Sequence, residues 1–393
     1  MTRSMWGVVS MVMAVALTVS ACGSDADSPT GGGQIAIGES IGISGPAGAY
    51  GKGKLDGQLA MVKAINAAGG VKGKQLNLTY LDDGFDPARA VQNVKKLVAQ
   101  GSVALLSGSG SGSIDASVPI AAQGKVPLVF PARTNPEWVR AGFPHVFSII
   151  PTFRDQSAAI VKHAFETTGP GSVFYVATQS VGLAETLADT KKAAESGGGS
   201  WLGSTEVPFG ASDIMPFALQ AGKNNPDYIL FASAPAETIK IVSALAAAKK
   251  LPAKGILGLT SMPGTAYLTG VPADAVAKTV SFSATVPPSA PGAKACDDAM
   301  RAHLGKPADL VNLSGCNEVQ LLASAVERID GEVTRQSLTM ALNLLSNAEI
   351  SPMVPPVSYS QTRRMGLTAL PVVSVKDGQY VQDGTAEVPV LGQ

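Results

Sequence analysis

Short, β-rich apolar runs alternate with longer segments of helical period along most of this 393-residue chain. A chain with that rhythm has few folds open to it. Strands that are apolar on both faces must be covered by helices on both sides, and the arrangement that does so is a parallel sheet with crossover helices. Candidate strands fall at 34–42, 75–81, 103–107, 126–130, 172–177, 228–232 and 255–259. The helices between them have legible ends. Asp86 followed by Pro87 reads as an N-cap with proline at the first helical position, opening a helix over 87–100 that Gly101 stops. A helix over 54–68 ends at Gly69-Gly70, and others are expected near 114–123, 154–168, 182–196, 212–222, 235–249, 292–304, 315–329 and 333–345. From 350 onward the chain turns Pro-rich with alternating apolar positions, as in 367–375 and 379–382, which predicts a small antiparallel set.

Residues 34–150 and 151–280 each read as a succession of strand–helix units. Two similar halves of this kind predict an α/β fold of two doubly wound lobes with a ligand between them. No short repeat is present, which disfavours a solenoid.

The N-terminus bears on location. Arg3 precedes an apolar stretch from Met5 to Val19, about 15 residues and so shorter than the roughly 20 that span a bilayer. It reads as the core of a signal peptide. The core runs into Leu17-Thr18-Val19-Ser20-Ala21-Cys22, which resembles the lipobox of bacterial lipoproteins and implies a signal peptide over 1–21 with lipid on Cys22; an ordinary secretory signal cut near Ala21 is the alternative. Residues 22–33 are polar and Gly-rich, a flexible tether. The expected location is outside the cytoplasm, held by lipid to the outer face of the bacterial cell membrane. Lipidation of Cys22 leaves an even two cysteines, Cys296 and Cys316, on two consecutive predicted helices, and an oxidising compartment favours a disulfide between them. Without a Cys-x-x-Cys pair, and with only His303 nearby, a zinc site is not expected.

Thirty basic side chains balance thirty acidic ones, so the attraction that nucleic acid or an anionic membrane surface would need is missing. Catalytic constellations are missing too. In Ser107-Gly108-Ser109-Gly110-Ser111-Gly112-Ser113 the serines and glycines alternate, so the Gly-x-Ser-x-Gly of a nucleophile elbow cannot occur within the run. Gly108-x-Gly110-x-x-Ser113 lacks the last glycine of a dinucleotide fingerprint, and no phosphate-binding Gly-x-x-x-x-Gly-Lys-Ser/Thr occurs. His145, His163 and His303 are far apart. Asp82-Asp83 could be paired acids, but after a strand and before Asp86 they more naturally fix a turn. No enzyme activity, cofactor or metal is expected. The same Gly/Ser run follows a buried strand and opens a helix, so its N–H groups and the hydroxyls of Ser109 and Ser111, with Gly112 allowing close approach, read as a seat for a carboxylate; a plain flexible loop is the alternative.

Three segments carry a family resemblance: Ile41-Gly42-Ile43-Ser44-Gly45-Pro46-Ala47-Gly48-Ala49-Tyr50-Gly51, Ala64-Ile65-Asn66-Ala67-Ala68-Gly69-Gly70-Val71-Lys72-Gly73-Lys74, and Asp82-Asp83 with Asp86-Pro87. Pro131-Ala132-Arg133-Thr134-Asn135-Pro136-Glu137 and Asp155-Gln156 follow in order. The set resembles the type I periplasmic binding proteins of the branched-chain amino acid (leucine/isoleucine/valine) family over roughly 34–380. The resemblance implies a monomeric solute receptor that serves the permease and ATPase of an ABC importer and does no chemistry on its ligand. Its lobes are expected at 34–149 with 281–347 and at 150–280 with 348–388, opening about hinges near 149–152, 279–285 and 345–352. By family position Ser111, Ala132 and Thr134 match residues that hold a ligand's α-carboxylate and α-amino group, and Tyr50 matches an aromatic wall. Arg133 either joins them or pairs with Glu137 at the surface. Departures matter as much. The family's aromatics near 181 and 234 are Val181 and Ala234 here, and the acidic residue that neutralises a ligand's ammonium is Thr260. A buried ammonium without that partner would cost several kcal/mol. The expected solute is therefore a small amino-acid-like compound, organic acid or amide, with a compound lacking a free α-ammonium favoured over a standard zwitterionic amino acid. A ligand-sensing part of a signalling system and an extracytoplasmic hydrolase are the other function classes.

Overall fold

The computed structural model describes residues 1–2, 33–45, 48–106, 109–129, 136–139, 143–179, 182–262 and 264–389. Two twisted sheets, each covered on both faces by helices, make two lobes. The first sheet has the order β2-β1-β3-β4-β5 and is parallel throughout: β1 (Gln34–Ile41), β2 (Gln75–Asp82), β3 (Ala104–Leu106), β4 (Leu128–Val129) and β5 (Val146–Phe147). Between them run α1 (Gly48–Ala67), α2 (Pro87–Ala99) and α3 (Ser111–Gln123). As the sequence requires, Asp86 caps α2, its carboxylate accepting the amides of Ala88 and Arg89. Val94, Leu97, Leu105, Val118 and Leu128 are buried together under α2 and α3.

The second lobe begins with α4 (Phe153–Thr168) and continues through β6 (Ser172–Thr178), α5 (Leu183–Ser196), β7 (Ser200–Val207), α6 (Met215–Gly222), β8 (Tyr228–Ala232), α7 (Pro235–Ala247), β9 (Gly255–Gly258), the short helices α8 (Thr265–Gly270) and α9 (Ala273–Val276), and β10 (Thr279–Phe282). The chain then crosses back to supply α10 (Lys294–Leu304), α11 (Leu310–Glu327) and α12 (Arg335–Asn343) to the first lobe, and returns as β11 (Ala369–Lys376) and β12 (Gln379–Glu387). The second sheet has the order β12-β11-β10-β9-β8-β6-β7, antiparallel only at β10–β11 and β11–β12.

Three strands escape the sequence expectations for separate reasons. β5 has only two residues, β7 is an edge strand whose residues are largely half-buried and polar, and β10 is four residues long. The start of α1 also differs. Its first turn contains glycines that read as loop, yet helix begins at Gly48 because bare backbone is needed there: a Cβ on Gly51 would stand 1.9 Å from the carbonyl oxygen of Gly42. Farther along, α1 packs against α11 through two more glycines. A Cβ on Gly57 would meet the Asn312 carbonyl oxygen at 2.1 Å, and one on Gly315 would meet that of Lys54 at 2.1 Å. Between the helices lies a buried ionic cluster. Lys54 Nζ is 2.9 Å from Glu318 and 4.0 Å from Glu39, and Gln58 donates to both carboxylates. Burial pushes the Glu39 carboxyl up to about 8, with Lys54 opposing and Glu318 and Asp83 reinforcing the rise. Cys296 on α10 and Cys316 on α11 are joined by a disulfide with Cα atoms 5.9 Å apart.

The three crossings between lobes lie side by side. Ser148 N–H donates to the Arg364 carbonyl, Gly366 N–H to Ser148 and Leu367 N–H to Ile149, each at 2.8 Å, while Val286 N–H reaches Met353 at 2.9 Å. Buried Arg364 lies over the Phe147 ring, 5.3 Å from its centroid, and donates to Asn343. This knot flanks β5 in one sheet and β10–β11 in the other. Among the described residues, no chain crossing between lobes lies at the opposite edges, β2 and β7.

Candidate functional site

Sheet order locates the cleft before any side chain is considered. In the first sheet the connection from β1 leads through α1 to β2 on one side, while that from β3 leads through α3 to β4 on the other. The crevice between the C-terminal ends of β1 and β3 is thus a topological switch point, where open α/β sheets bind ligands. The second sheet has its counterpart between β6 and β8.

On the first-lobe side two helices start at the crevice. The N-cap of α3 is Gly110, at φ +92°, and no side chain caps the helix. Helix geometry leaves its first-turn amides without intrahelical acceptors and gives that end a partial positive charge. Ser111 is half-buried in that turn and Gly112 is exposed. Ser109 is buried, and its hydroxyl donates to the Gly42 carbonyl at 3.2 Å, lacing the ends of β3 and β1 together. Tyr50, half-buried, lies in the first turn of α1 beside them.

The neighbouring Asp82-Asp83 pair builds a turn. Asp82 accepts the amides of Ile43 and Gly84; against the upward push of burial, the Ser44 hydroxyl and these amides hold its carboxyl below the usual range. Asp83 is fully buried, accepts the Ser40 hydroxyl at 2.9 Å and the Phe85 amide at 2.8 Å, and is raised by burial. Both carboxylates are committed to backbone and hydroxyl donors, as a turn requires and a paired acid site does not.

On the second-lobe side, buried Ala234 is the N-cap of α7, and its amide donates to Thr178 Oγ1 at 3.0 Å, tying the ends of β8 and β6. Glu237 in the first turn of α7 accepts the Gly210 amide at 2.6 Å and so anchors the loop after β7. Thr260, after β9, has a half-buried side chain, but its amide is occupied: it donates to Gln156 Oε1 at 3.0 Å. Gln156, fully buried on α4, in turn donates to the Pro151 carbonyl at 2.6 Å. A brace therefore runs from the crossover to the loop after β9. Sequence reasoning gave Gln156 no role, since it lies 104 residues from its partner. The described residues of the loops after β8 and β9 hold no carboxylate. Ala132, Arg133, Thr134, Val181 and Cys22 lie outside the described residues.

A family model described as periplasmic binding protein matches residues 34–379. The chain belongs to the periplasmic binding protein family. This binding protein is similar to a Leu/Ile/Val-binding protein of Rhizobium johnstonii, 24% identical over 348 residues that cover 88% of this chain and 93% of the relative. Its fold is similar to that of an ABC transporter substrate-binding protein from Aeropyrum pernix, with TM-score 0.81 and 18% identity over 91% of this chain and 97% of the other. It also resembles a solute-binding protein of an ABC transporter from R. palustris, solved in complex with benzoate, with TM-score 0.78 and 20% identity over 91% and 98% of the two chains. The binding protein has the two-lobed type I fold, and relatives and neighbours are binding proteins rather than enzymes. Such proteins work outside the cytoplasm with ABC transporters, and no described helix is long and apolar enough to cross a membrane.

Proposed function

We propose that this binding protein is the lipid-anchored receptor of an ABC importer, and that its solute is a small organic acid or amide without a free α-ammonium. The observation that carries the solute class is a contrast between the two cleft walls. The first-lobe wall presents the N-terminus of α3, which no side chain caps and whose partial positive charge suits a carboxylate or amide oxygen, with Ser111 in its first turn. The facing loops offer Ser233, Ala234, Thr260 and Ser261, all neutral. Among the described residues of those loops an ammonium would find no carboxylate, and Glu237 in the first turn of α7 is engaged by the Gly210 amide. The benzoate bound to the R. palustris neighbour is itself a carboxylate without an ammonium.

In this reading Ser111, Ala132 and Thr134, with Arg133, hold the acid end, and Tyr50, Val181, Ala234 and Thr260 line the remainder. The lobes rotate about the crossover knot, close on the solute and present the closed face to the permease and its ATPase. Lipid on Cys22 keeps the monomeric receptor at the membrane. Mass spectrometry of solute released from the purified protein tests the class: a carboxylic acid or amide is expected, and a branched-chain amino acid would overturn it. For the anchor, Cys22→Ala is expected to move the protein from the membrane fraction to the medium, and unchanged fractionation would refute lipidation.

A further inference from the structure

The two lobes meet across the cleft in an aromatic contact at the rim remote from the crossovers. Phe85 follows β2 and Phe209 follows β7, the edge strands remote from the crossovers, and their ring centroids are 5.5 Å apart. Phe85 is held in place from three directions. Its backbone is left-handed at φ +64°, a conformation that non-glycine residues rarely keep unless their surroundings impose it. The imposition comes from buried Asp83, which accepts the Phe85 amide at 2.8 Å while bound to the Ser40 hydroxyl. The ring then lies in a glycine cradle. A Cβ on Gly42 would stand 2.6 Å from it and one on Gly110 2.7 Å, so the ring rests against bare backbone at the end of β1 and at the N-cap of α3. Phe209 is by contrast 44% exposed, a large apolar side chain whose one aromatic contact among the described residues is Phe85.

We propose that Phe85 and Phe209 form an aromatic clasp that fastens the lobes at the rim opposite the hinge. Lever arm gives the clasp its effect. Four strand intervals separate β5 from β2, about 19 Å at ordinary strand spacing, so each degree of opening parts the rings by about 0.3 Å. A few degrees suffice to break the contact, and making it favours closure. Because the Phe85 ring touches Gly110, next to Ser111, the clasp also shares its foundation with the seat assigned to the solute.

The test needs no solute, so its failure is distinguishable from failure of the solute assignment. Small-angle scattering is recorded on the full chain stripped of bound solute, for the native protein and for Phe209→Ala, Phe209→Trp and Phe85→Ala, and each profile is fitted as a mixture of closed and open forms. Aromatic pairs of this kind predict that Phe209→Ala lowers the closed-to-open ratio about 2- to 13-fold, with a larger radius of gyration. Phe209→Trp is expected to keep the native ratio. Should Phe85→Ala unfold because its cradle empties, the exposed Phe209 position still decides the matter. Identical profiles for the native protein and Phe209→Ala, or a Trp variant as open as the Ala variant, overturn the clasp.

Discussion

The buried cluster between α1 and α11 makes a signed prediction about pH. Glu39 is fully inaccessible, and burial raises its carboxyl from the ordinary 4.5 to about 8, despite Lys54 at 4.0 Å. In the unfolded chain it returns to its ordinary range. Between those two values the folded protein holds a proton there that the unfolded chain has lost. Stability from this group is therefore complete below pH 4.5 and declines as pH rises toward about 8. The slope approaches 1.4 kcal/mol per pH unit, so the loss between pH 5 and 7.5 is about 3 kcal/mol. Glu39→Gln keeps the shape and cannot ionise. Denaturant unfolding at half-unit pH intervals, with m-values checked for constancy, is expected to show the variant gaining on the native protein by about 3 kcal/mol across that window. Parallel pH profiles for the two proteins would refute the assignment of a protonated Glu39.

Other expectations follow from single contacts. Lys54→Met leaves the Glu318 carboxylate buried without its cation and should cost about 3–5 kcal/mol, read from the same unfolding curves; a loss below 1 kcal/mol would contradict the pairing. Replacing both Cys296 and Cys316 by alanine opens a link between residues 20 apart and should cost about 3 kcal/mol, whereas an unchanged denaturation midpoint would remove the bridge from any stabilising role. Gly315→Ala forces a Cβ to within 2.1 Å of the Lys54 carbonyl and is expected to lower stability by about 1–3 kcal/mol or more, and a neutral result would mean that α1 and α11 are not so closely packed. Gln156→Leu strips the Thr260 amide and the Pro151 carbonyl of their partner, so faster hydrogen exchange at Thr260 is expected and native-like protection would contradict the brace.

Local rules made much of the fold readable. Asp86-Pro87 and Gly101 bracket α2, and the alternation after 367 became the β11–β12 pair, because caps and periodicity depend on residues near in sequence. What stayed hidden depends on distant partners. Gly51 sits within a helix because the Gly42 carbonyl approaches it, and Glu39 occupies the interior of a strand because Lys54 and Gln58 reach it from α1, the same two side chains that engage Glu318 of α11. The candidate site divides in the same way. The Gly/Ser run announced a helix start, which α3 supplies, and the Ser109 hydroxyl turned out to serve the Gly42 carbonyl, a partner 67 residues away. No pattern marked Phe85 and Phe209, since their contact arises only when two sheet edges face each other.

In the proposed cleft an acid group is held on one wall, while the loops after β8 and β9 on the other hold, among their described residues, no carboxylate for an ammonium. Leucine and 4-methylpentanoate share a carbon skeleton and differ only in the ammonium, so calorimetric titration with both compares the two solute classes directly. 4-Methylpentanoate is expected to bind more tightly than leucine by at least about a hundredfold, the penalty of burying an unpaired ammonium. Leucine binding in the micromolar range with no detectable binding of 4-methylpentanoate would contradict it.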